Sequence, residues 1–183
     1  MRKQNINIDV GGRCGKIVNP DYKMKNCWKG KGVCTDKDPY KFYVAIEHSI
    51  CKDYITEKYF RSLDWGLVPI VVGGSNNNYL DHRITVPGSF IDTLDFQNMT
   101  ELANYIKYLD GNDTAYNEYH KWREDYKIVY ESRFCQICKK LWENHDGIHK
   151  HDKKYLLDIG KFWDRKLVCT DPFKTYSRFI SKP

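Results

Sequence analysis

The chain has 183 residues, of which 41% are hydrophobic and 30% charged, and this balance is typical of a globular protein of one domain, alone or with a short appendage. The formal net charge of +6 is compatible with an anionic ligand but too small and too dispersed for a nucleic-acid-binding protein. The longest obvious apolar run, from Leu67 to Val72, is far shorter than the roughly 20 residues that span a bilayer.

Cysteine usage points to an oxidising compartment. The chain has seven cysteines, enough for three disulfides with one thiol left over. Two Asn-x-Thr sequons, at Asn98 and Asn112, are candidate N-glycosylation sites. Together these features favour the lumen of the secretory pathway over the cytosol.

Apolar runs and turn residues in the first half predict alternating strands and helices. A short strand is predicted at Ile6–Val10, followed by a cysteine-bearing loop over residues 14–39. The run Lys41–Glu47 predicts a buried strand, Ile55–Trp65 has helical spacing, and Leu67–Val72 predicts another strand. This order indicates a parallel sheet flanked by helices.

The second half is predicted to continue the pattern. Further short strands are expected at Arg83–Val86 and Ser89–Ile91. Asn98 and Glu101 have the spacing of a capping box, and helical periodicity then continues to Asp110. A second helix is predicted from about Thr114 past Tyr130.

The stretch from Tyr40 to Gly74, YKFYVAIEHSICKDYITEKYFRSLDWGLVPIVVGG, carries the candidate site. A helix that starts near Ile55 would present unpaired N–H groups and a partial positive charge, which suits a diphosphate. Lys58, one turn inside, would add a full charge. The simpler alternative is that Glu57 and Arg61 form an exposed ion pair on an amphipathic helix.

The wording of this stretch resembles the α1,3/4-fucosyltransferases. YKFYVAIEHSICKDYITEK is similar to the family motif FYLAFENSxxxDYxTEK, and the likeness continues through VPIVVGG, PGSFI and YLDGNDTAYNEYHKWR as far as Arg123. DVGGRCG, at Asp9–Gly15, also resembles the family's DxxGxCG turn. His48 departs from the pattern, where Asn is usual, as does Phe60-Arg61 in place of a leucine-rich continuation. We expect His48→Asn to be tolerated.

The resemblance implies an α/β fold: a Rossmann-like parallel sheet flanked by helices, the C-terminal half of a GT-B glycosyltransferase, with a cysteine-bearing C-terminal tail. Residues 1–131 would form the GDP-fucose donor-binding domain, truncated at its N-terminal side, and 132–183 the tail. By motif, Tyr54, Glu57 and Lys58 fall on donor-binding positions, with Glu57 and Lys58 in catalytic roles. Glu47 matches the Glu of the FEN triplet, where it would bond the ribose or orient the loop.

The reaction implied is an inverting transfer of fucose from GDP-fucose to GlcNAc of a glycan. The family's catalytic base and acceptor-binding half have no counterpart in this chain, so the alternative is a non-catalytic fragment or binding module. No DxD-type carboxylate pair appears, so we expect no tightly bound metal or other cofactor, only stimulation by Mn²⁺. The expected location is the Golgi lumen, with any membrane anchor outside this chain, and no nucleic-acid partner is expected.

The tail contains Cys135-x-x-Cys138, followed by His145, His149 and His151. A zinc site is conceivable, but Cys138 and His145 are closer than in the usual zinc finger. Family members carry a C-x-x-C near this point, so we favour disulfide bonding of Cys135 and Cys138 over zinc. A thioredoxin-like redox role is disfavoured because the motif follows a predicted helix and not a strand.

Overall fold

The structure of the chain, a computed structural model, describes residues 4–8, 40–73, 84–129, 132–145, 160, 164, 166 and 169–179. Its centre is a parallel sheet of three strands: β1 (Phe42–Ile46), β3 (Val68–Val72) and β4 (Ile91–Asp92), in the order β1-β3-β4. Two shorter strands, β2 (Ile50–Cys51) and β5 (Cys169–Thr170), form a separate antiparallel pair.

The described helices connect and cover these strands. They are α1 (Glu57–Asp64), α2 (Met99–Asp110), α3 (Asp113–Glu118), α4 (Arg133–His145) and the single turn α5 (Pro172–Thr175). Short 3-10 turns lie at Thr93–Asp95, Lys121–Glu124 and Ser177–Phe179. Because β1 and β3 are parallel, the chain must cross back between them, and α1 makes that crossing.

The sheet is covered on both faces, which explains the nearly continuous apolar runs of β1 and β3. One core packs α1 and the 3-10 turn at 121–124 against the sheet, and its buried members are Ala45, Tyr59, Leu63, Val71 and Trp122. The other core packs α2 against the opposite face, and its buried members are Val68, Ile70, Ile91, Leu102, Ile106 and Leu109. The predicted α/β sheet flanked by helices is confirmed.

The end of α1 fixes the direction in which β3 leaves the helix. Gly66 has a φ of 75°, a left-handed conformation that costs a glycine little. Leu67 N–H donates to the carbonyl of Ser62 at 2.9 Å and Gly66 N–H to that of Leu63 at 3.2 Å, the two bonds of a Schellman motif. The helix therefore stops at a defined point and releases the chain into β3.

The main elements agree with the sequence predictions to within about two residues, the usual uncertainty of helix and strand boundaries. The strands predicted at Lys41–Glu47 and Leu67–Val72 and the helices predicted at Ile55–Trp65 and from Met99 are all present. The capping box at Asn98 is also present, because its side chain accepts from Glu101 N–H at 3.0 Å. The Glu101 carboxylate reaches back to Gln97 N–H, at 2.7 Å, one residue earlier than in the usual box.

Two predicted strands are absent where the structure describes their residues, and a third begins later than predicted. Residues 6–8 of the strand predicted at Ile6–Val10 have no strand structure, and neither do residues 84–86 of the strand predicted at Arg83–Val86; residues 9–10 and 83 lie outside the described residues. At 84–86 the backbone bonds elsewhere, because Val86 N–H donates to the Tyr59 hydroxyl at 3.0 Å. The strand predicted at Ser89–Ile91 begins only at Ile91, after a turn in which Gly88 has a φ of 69°.

The long second helix is also shorter than predicted. It ends at Glu118, and the chain then forms the 3-10 turn at 121–124. This turn lets Trp122 enter the core on the α1 face, while Arg123 donates to the Leu63 carbonyl at 2.6 Å. The gain from packing Trp122 outweighs the helical continuation that the sequence pattern favours.

Candidate functional site

Polar residues gather at the carboxyl edge of the parallel sheet. Glu47 follows β1, Gly73 follows β3, and Thr93 follows β4, where its hydroxyl donates to the Val71 carbonyl at 2.9 Å. Glu47 N–H donates to the Val72 carbonyl at 2.9 Å and so joins the first two loops. In open α/β sheets, ligands bind outside the carboxyl ends of the strands. This edge is therefore the candidate binding site.

Glu47 is the best-connected charged residue of the site. Its side chain is fully buried, and its Oε1 accepts from both the backbone N–H and the hydroxyl of Thr56, at 2.8 and 2.9 Å. Its Oε2 lies 2.8 Å from the same hydroxyl and accepts from Lys58 Nζ at 3.3 Å. A buried carboxylate is tolerated only when paired and hydrogen-bonded, and both conditions are met here.

Thr56 joins this carboxylate to the start of α1. As the N-cap of α1 it would ordinarily turn its hydroxyl to the first turn of its own helix, but here the hydroxyl bonds Glu47 and accepts from Lys58 Nζ at 3.0 Å. We call Glu47, Thr56 and Lys58 the carboxylate cluster. The sequence analysis did not select Thr56, although its place directly before Glu57-Lys58 at a helix start was an available signal.

The carboxylate cluster positions Lys58 and leaves part of its side chain exposed. The Lys58 side chain is 32% exposed, and two of its three ammonium N–H donors are directed at Glu47 and Thr56. The third donor has no hydrogen-bond acceptor among the described residues, and the nearby Glu57 carboxylate lies beyond hydrogen-bond distance, at 3.9 Å. Lys58 is the second residue of α1 and so lies in its first turn, closer to the helix start than predicted; its ligand stays a prediction.

Glu57 and Tyr54 are the two other residues predicted to bind the donor. The Glu57 side chain is 57% exposed, and its Oε1 lies 3.9 Å from Lys58 Nζ. A hydrogen bond from its own backbone N–H lowers the pKa of Glu57, and the nearby Lys58 acts in the same direction. Tyr54 is half-buried and its N–H closes a turn onto the Cys51 carbonyl at 3.2 Å. Asp53, directly before Tyr54, adopts a left-handed φ of 58°.

Tyr43 completes the polar surroundings from the side of β1. Its ring packs edge-on against Trp65, with 5.7 Å between ring centroids. Burial raises the pKa of the Tyr43 phenol, a shift that the nearby ammonium of Lys58 partly opposes. Tyr43 is therefore a neutral hydroxyl at physiological pH, beside the charged groups of the cluster.

The C-terminal residues return to this edge of the sheet. Cys169 forms a disulfide with Cys51, in the loop between β1 and α1, across a sequence separation of 118 residues. The hydroxyl of the buried Tyr176 accepts from Gly73 N–H at 2.9 Å, at the end of β3. Neither contact was predicted from the sequence.

The disulfide that was predicted in the tail is not formed. Cys135 and Cys138 are free, exposed thiols on α4. Residues three apart on a helix have Cβ atoms about 5–6 Å apart, whereas a disulfide requires roughly 3.5–4.5 Å. A regular helix over this segment therefore keeps the two sulfurs apart.

The other predicted sites have the following positions. Asn98 and Asn112 are the N-caps of α2 and α3, and their glycosylation stays a prediction. His48 is exposed, with Nδ1 3.0 Å from the Ser49 hydroxyl. Of the residues in the zinc alternative, His149 and His151 lie outside the described residues. Within the described part of the chain, no helix is long and apolar enough to cross a membrane, and no cluster of three metal-ligating side chains is found.

Residues 1–156 match the family described as "Glycosyltransferase family 10 (fucosyltransferase) C-term". Alpha-(1,3)-fucosyltransferase C of Drosophila melanogaster is 33% identical over 85% of this chain and 34% of its own length. Alpha-(1,3)-fucosyltransferase fut-5 of Caenorhabditis elegans is 35% identical over 97% of this chain and 46% of its own length.

A human protein is similar over a shorter stretch. The 4-galactosyl-N-acetylglucosaminide 3-alpha-L-fucosyltransferase FUT6 of Homo sapiens is 42% identical over 76% of this chain and 36% of its own length. The chain thus spans between a third and a half of the length of these three relatives. Since the family match covers most of the chain and the parallel α/β sheet agrees with it, the chain belongs to glycosyltransferase family 10, the fucosyltransferases, and its matched residues correspond to that family's C-terminal domain.

Proposed function

We propose that this chain supplies the GDP-fucose-binding part of an α1,3-fucosyltransferase, an enzyme that transfers fucose with inversion from GDP-fucose to GlcNAc of a glycan. The observation that carries the proposal is the position of Lys58. Its ammonium is held by Glu47 and Thr56 at the carboxyl edge of a parallel sheet, and it keeps one N–H for an anion. The printed names of the relatives support fucosyl transfer as the reaction.

In the proposed reaction, the acceptor hydroxyl attacks the anomeric carbon of fucose and loses its proton to a general base. The bond between that carbon and the diphosphate oxygen breaks, and its electron pair leaves with GDP. Lys58 stabilises the negative charge that develops on the diphosphate. Glu57, whose lowered pKa keeps it ionised, contacts fucose or stabilises positive charge at the anomeric carbon. The base belongs to the acceptor-binding half, outside the residues assigned here.

Glu47 takes the second of the two roles predicted for it. Both of its oxygens are engaged by Thr56 and Lys58, and its side chain has no exposed surface for a ribose hydroxyl. We therefore assign it to orienting the loop and Lys58. Tyr54 is half-buried at the turn before α1 and is the residue proposed to contact the nucleotide.

The proposed setting is the Golgi lumen. The Cys51–Cys169 disulfide and the two sequons are compatible with an oxidising, glycosylating compartment. The proposed acceptor is a glycan, and Mn²⁺ is proposed as a stimulating ion and not as a tightly bound cofactor. The titration below is run with and without Mn²⁺ to test this last point.

The test is calorimetric titration of the oxidised chain with GDP-fucose, GDP and UDP, for the parent and for Lys58→Ala. Lys107→Ala is the matched control, since it removes an equal charge from the exposed side of α2. Loss of one charge-assisted hydrogen bond weakens binding by roughly 10- to 100-fold. We expect this for Lys58→Ala with both guanine nucleotides, an unchanged Lys107→Ala, and no binding of UDP.

Two results would contradict the proposal. If Lys58→Ala binds GDP as well as the parent, the diphosphate does not contact Lys58. If the folded parent binds neither guanine nucleotide, the chain is a fragment that keeps the family's sequence without its ligand.

A further inference from the structure

The C-terminal residues 169–179 contact both loops that border the candidate site. Cys169 is bonded to Cys51 in the loop after β1, and β5 pairs with β2 in that same loop. From Tyr176 a hydrogen bond reaches Gly73 at the start of the loop after β3. We call residues 169–179 the C-terminal clamp.

The loop after β1 is buried in its middle, at Ile50 and Cys51. Its two ends are held together because Glu47 bonds Thr56, nine residues later. Between them the loop contains the two-residue strand β2 and a turn in which Asp53 has a positive φ. A left-handed conformation is unfavourable for a residue other than glycine unless neighbouring structure maintains it. Cys51 is the first residue of this turn, because its carbonyl accepts from Tyr54 N–H at 3.2 Å, so the disulfide restrains the turn directly.

A hydrogen bond restrains Gly73, the first residue after β3, in the same way. The Gly73 N–H lies just beyond the last paired residue of β3, so it has no partner within the sheet ladder. The Tyr176 hydroxyl, which is buried, accepts from it at 2.9 Å. A buried N–H that loses its acceptor is costly, so this bond links the position of the clamp to the end of β3.

We propose that the C-terminal clamp positions the loop between β1 and α1, and with it Tyr54, for the nucleotide. The clamp makes no contact with the reacting atoms in this role, so Tyr176 and Cys169 are positioning residues. The proposal rests on the proposed function for the identity of the ligand, whereas the hold of the clamp on the loop does not depend on it. Restricting a loop before binding lowers the entropy lost on binding, so the clamp increases affinity.

The test combines amide hydrogen exchange with calorimetry on the full chain. Tyr176→Phe removes one hydroxyl and keeps the ring; its matched control is Tyr126→Phe, at a tyrosine that is 47% exposed. Cys51→Ala combined with Cys169→Ala removes the disulfide; its matched control is Cys135→Ala combined with Cys138→Ala, at two exposed thiols. Exchange of residues 48–55 and of α2 is followed without ligand, and the Kd for GDP is measured separately.

We expect both clamp variants to exchange faster at residues 48–55 and at the parent rate in α2. Loss of one neutral hydrogen bond corresponds to about a three- to tenfold increase in Kd for Tyr176→Phe. Both controls should match the parent. Tyr176→Phe differs from the parent only by the loss of one hydroxyl. A higher Kd for GDP with unchanged exchange in α2 therefore indicates positioning of the loop, and not a general loss of stability.

Three outcomes decide the proposal. Unchanged exchange at 48–55 in both clamp variants overturns it. Faster exchange in α2 as well as in the loop also overturns it, because the clamp then stabilises the whole fold and not this loop. If the parent fails to bind GDP, the proposed donor function is wrong, and the exchange comparison alone decides whether the clamp holds the loop.

Discussion

Replacing Glu47 by glutamine tests the most specific feature of the site. The substitution keeps the shape of the side chain and one carbonyl oxygen, but it removes the charge and replaces one acceptor by an NH₂ donor. In the parent, one carboxylate oxygen accepts from Thr56 and the other from Lys58. In either orientation of the glutamine amide, its NH₂ group faces a donor, either the Thr56 N–H or the Lys58 ammonium, that bonds a carboxylate oxygen in the parent.

The expected cost follows from the burial of Glu47 and the partial exposure of Lys58. Removing one partner of a fully buried pair costs about 3–5 kcal/mol, because the remaining charge is stranded. Lys58 is 32% exposed and can turn to water, so it is not stranded. The cost is then that of a hydrogen bond to a charged group, about 1.5–3 kcal/mol in the free energy of unfolding. For a chain of this size that corresponds to a decrease in Tm of about 3–12 °C.

Urea denaturation followed by tryptophan fluorescence, on the oxidised chain at pH 7, measures this difference. Glu57→Gln is the matched control, because its side chain is 57% exposed and an exposed substitution changes stability by about 0.5 kcal/mol or less. A double-mutant cycle of Glu47→Gln with Lys58→Met then isolates the pair, with an expected coupling of about 0.5–3 kcal/mol. If Glu47→Gln destabilises no more than Glu57→Gln, the carboxylate cluster does not exist as described.

Three further predictions concern other residues. Burial lowers the pKa of His120 below its ordinary 6.5, so as the pH falls His120 is protonated in the unfolded chain before it is protonated in the folded one. The free energy of unfolding should therefore decrease below about pH 6.5. Urea midpoints at pH 7.5 and 5.5 measure this decrease, which His120→Gln should remove. Thr100→Ala should remove a glycan at Asn98 from the secreted chain, as measured by mass spectrometry, and keep the helix cap. Asn98→Ala should remove both, at a further cost of about 1 kcal/mol in the free energy of unfolding. Equal urea midpoints for the two variants would contradict the cap. Cys135 and Cys138 should react with iodoacetamide without reductant, as read by peptide mapping, whereas unmodified residues would mean that they are oxidised.

Local sequence was sufficient for the elements that an apolar run or a helix cap marks. β3 is almost entirely buried and β1 is buried or half-buried as far as Ala45, so both strands are runs of apolar residues. A cap at Asn98 and apolar residues at helical spacing predict α2. In these elements, neighbouring residues along the chain contain the information that determines the structure.

Prediction failed where a distant contact decides the local structure. The strand expected at 84–86 is replaced by a turn because Val86 bonds Tyr59, and the helix expected past Glu118 ends because Trp122 packs on α1. The pairing of Cys51 with Cys169 spans 118 residues, and spacing alone does not specify the connectivity of seven cysteines. Within the site, motif likeness identified Glu47 and Lys58 but not that Thr56 joins them.

The carboxylate cluster has a cost for the function that it is proposed to serve. Glu47 places a negative charge 3.3 Å from the only cation assigned to the diphosphate, and Glu57 adds a second negative charge at 3.9 Å. The cluster thus lowers the net positive potential that an anionic ligand would meet. In return it fixes the Lys58 ammonium at one position relative to the start of α1, so little side-chain entropy remains to be lost on binding. A donor site must hold GDP-fucose in one orientation and then release GDP, and a fixed cation of reduced strength serves both requirements better than a mobile, fully charged one.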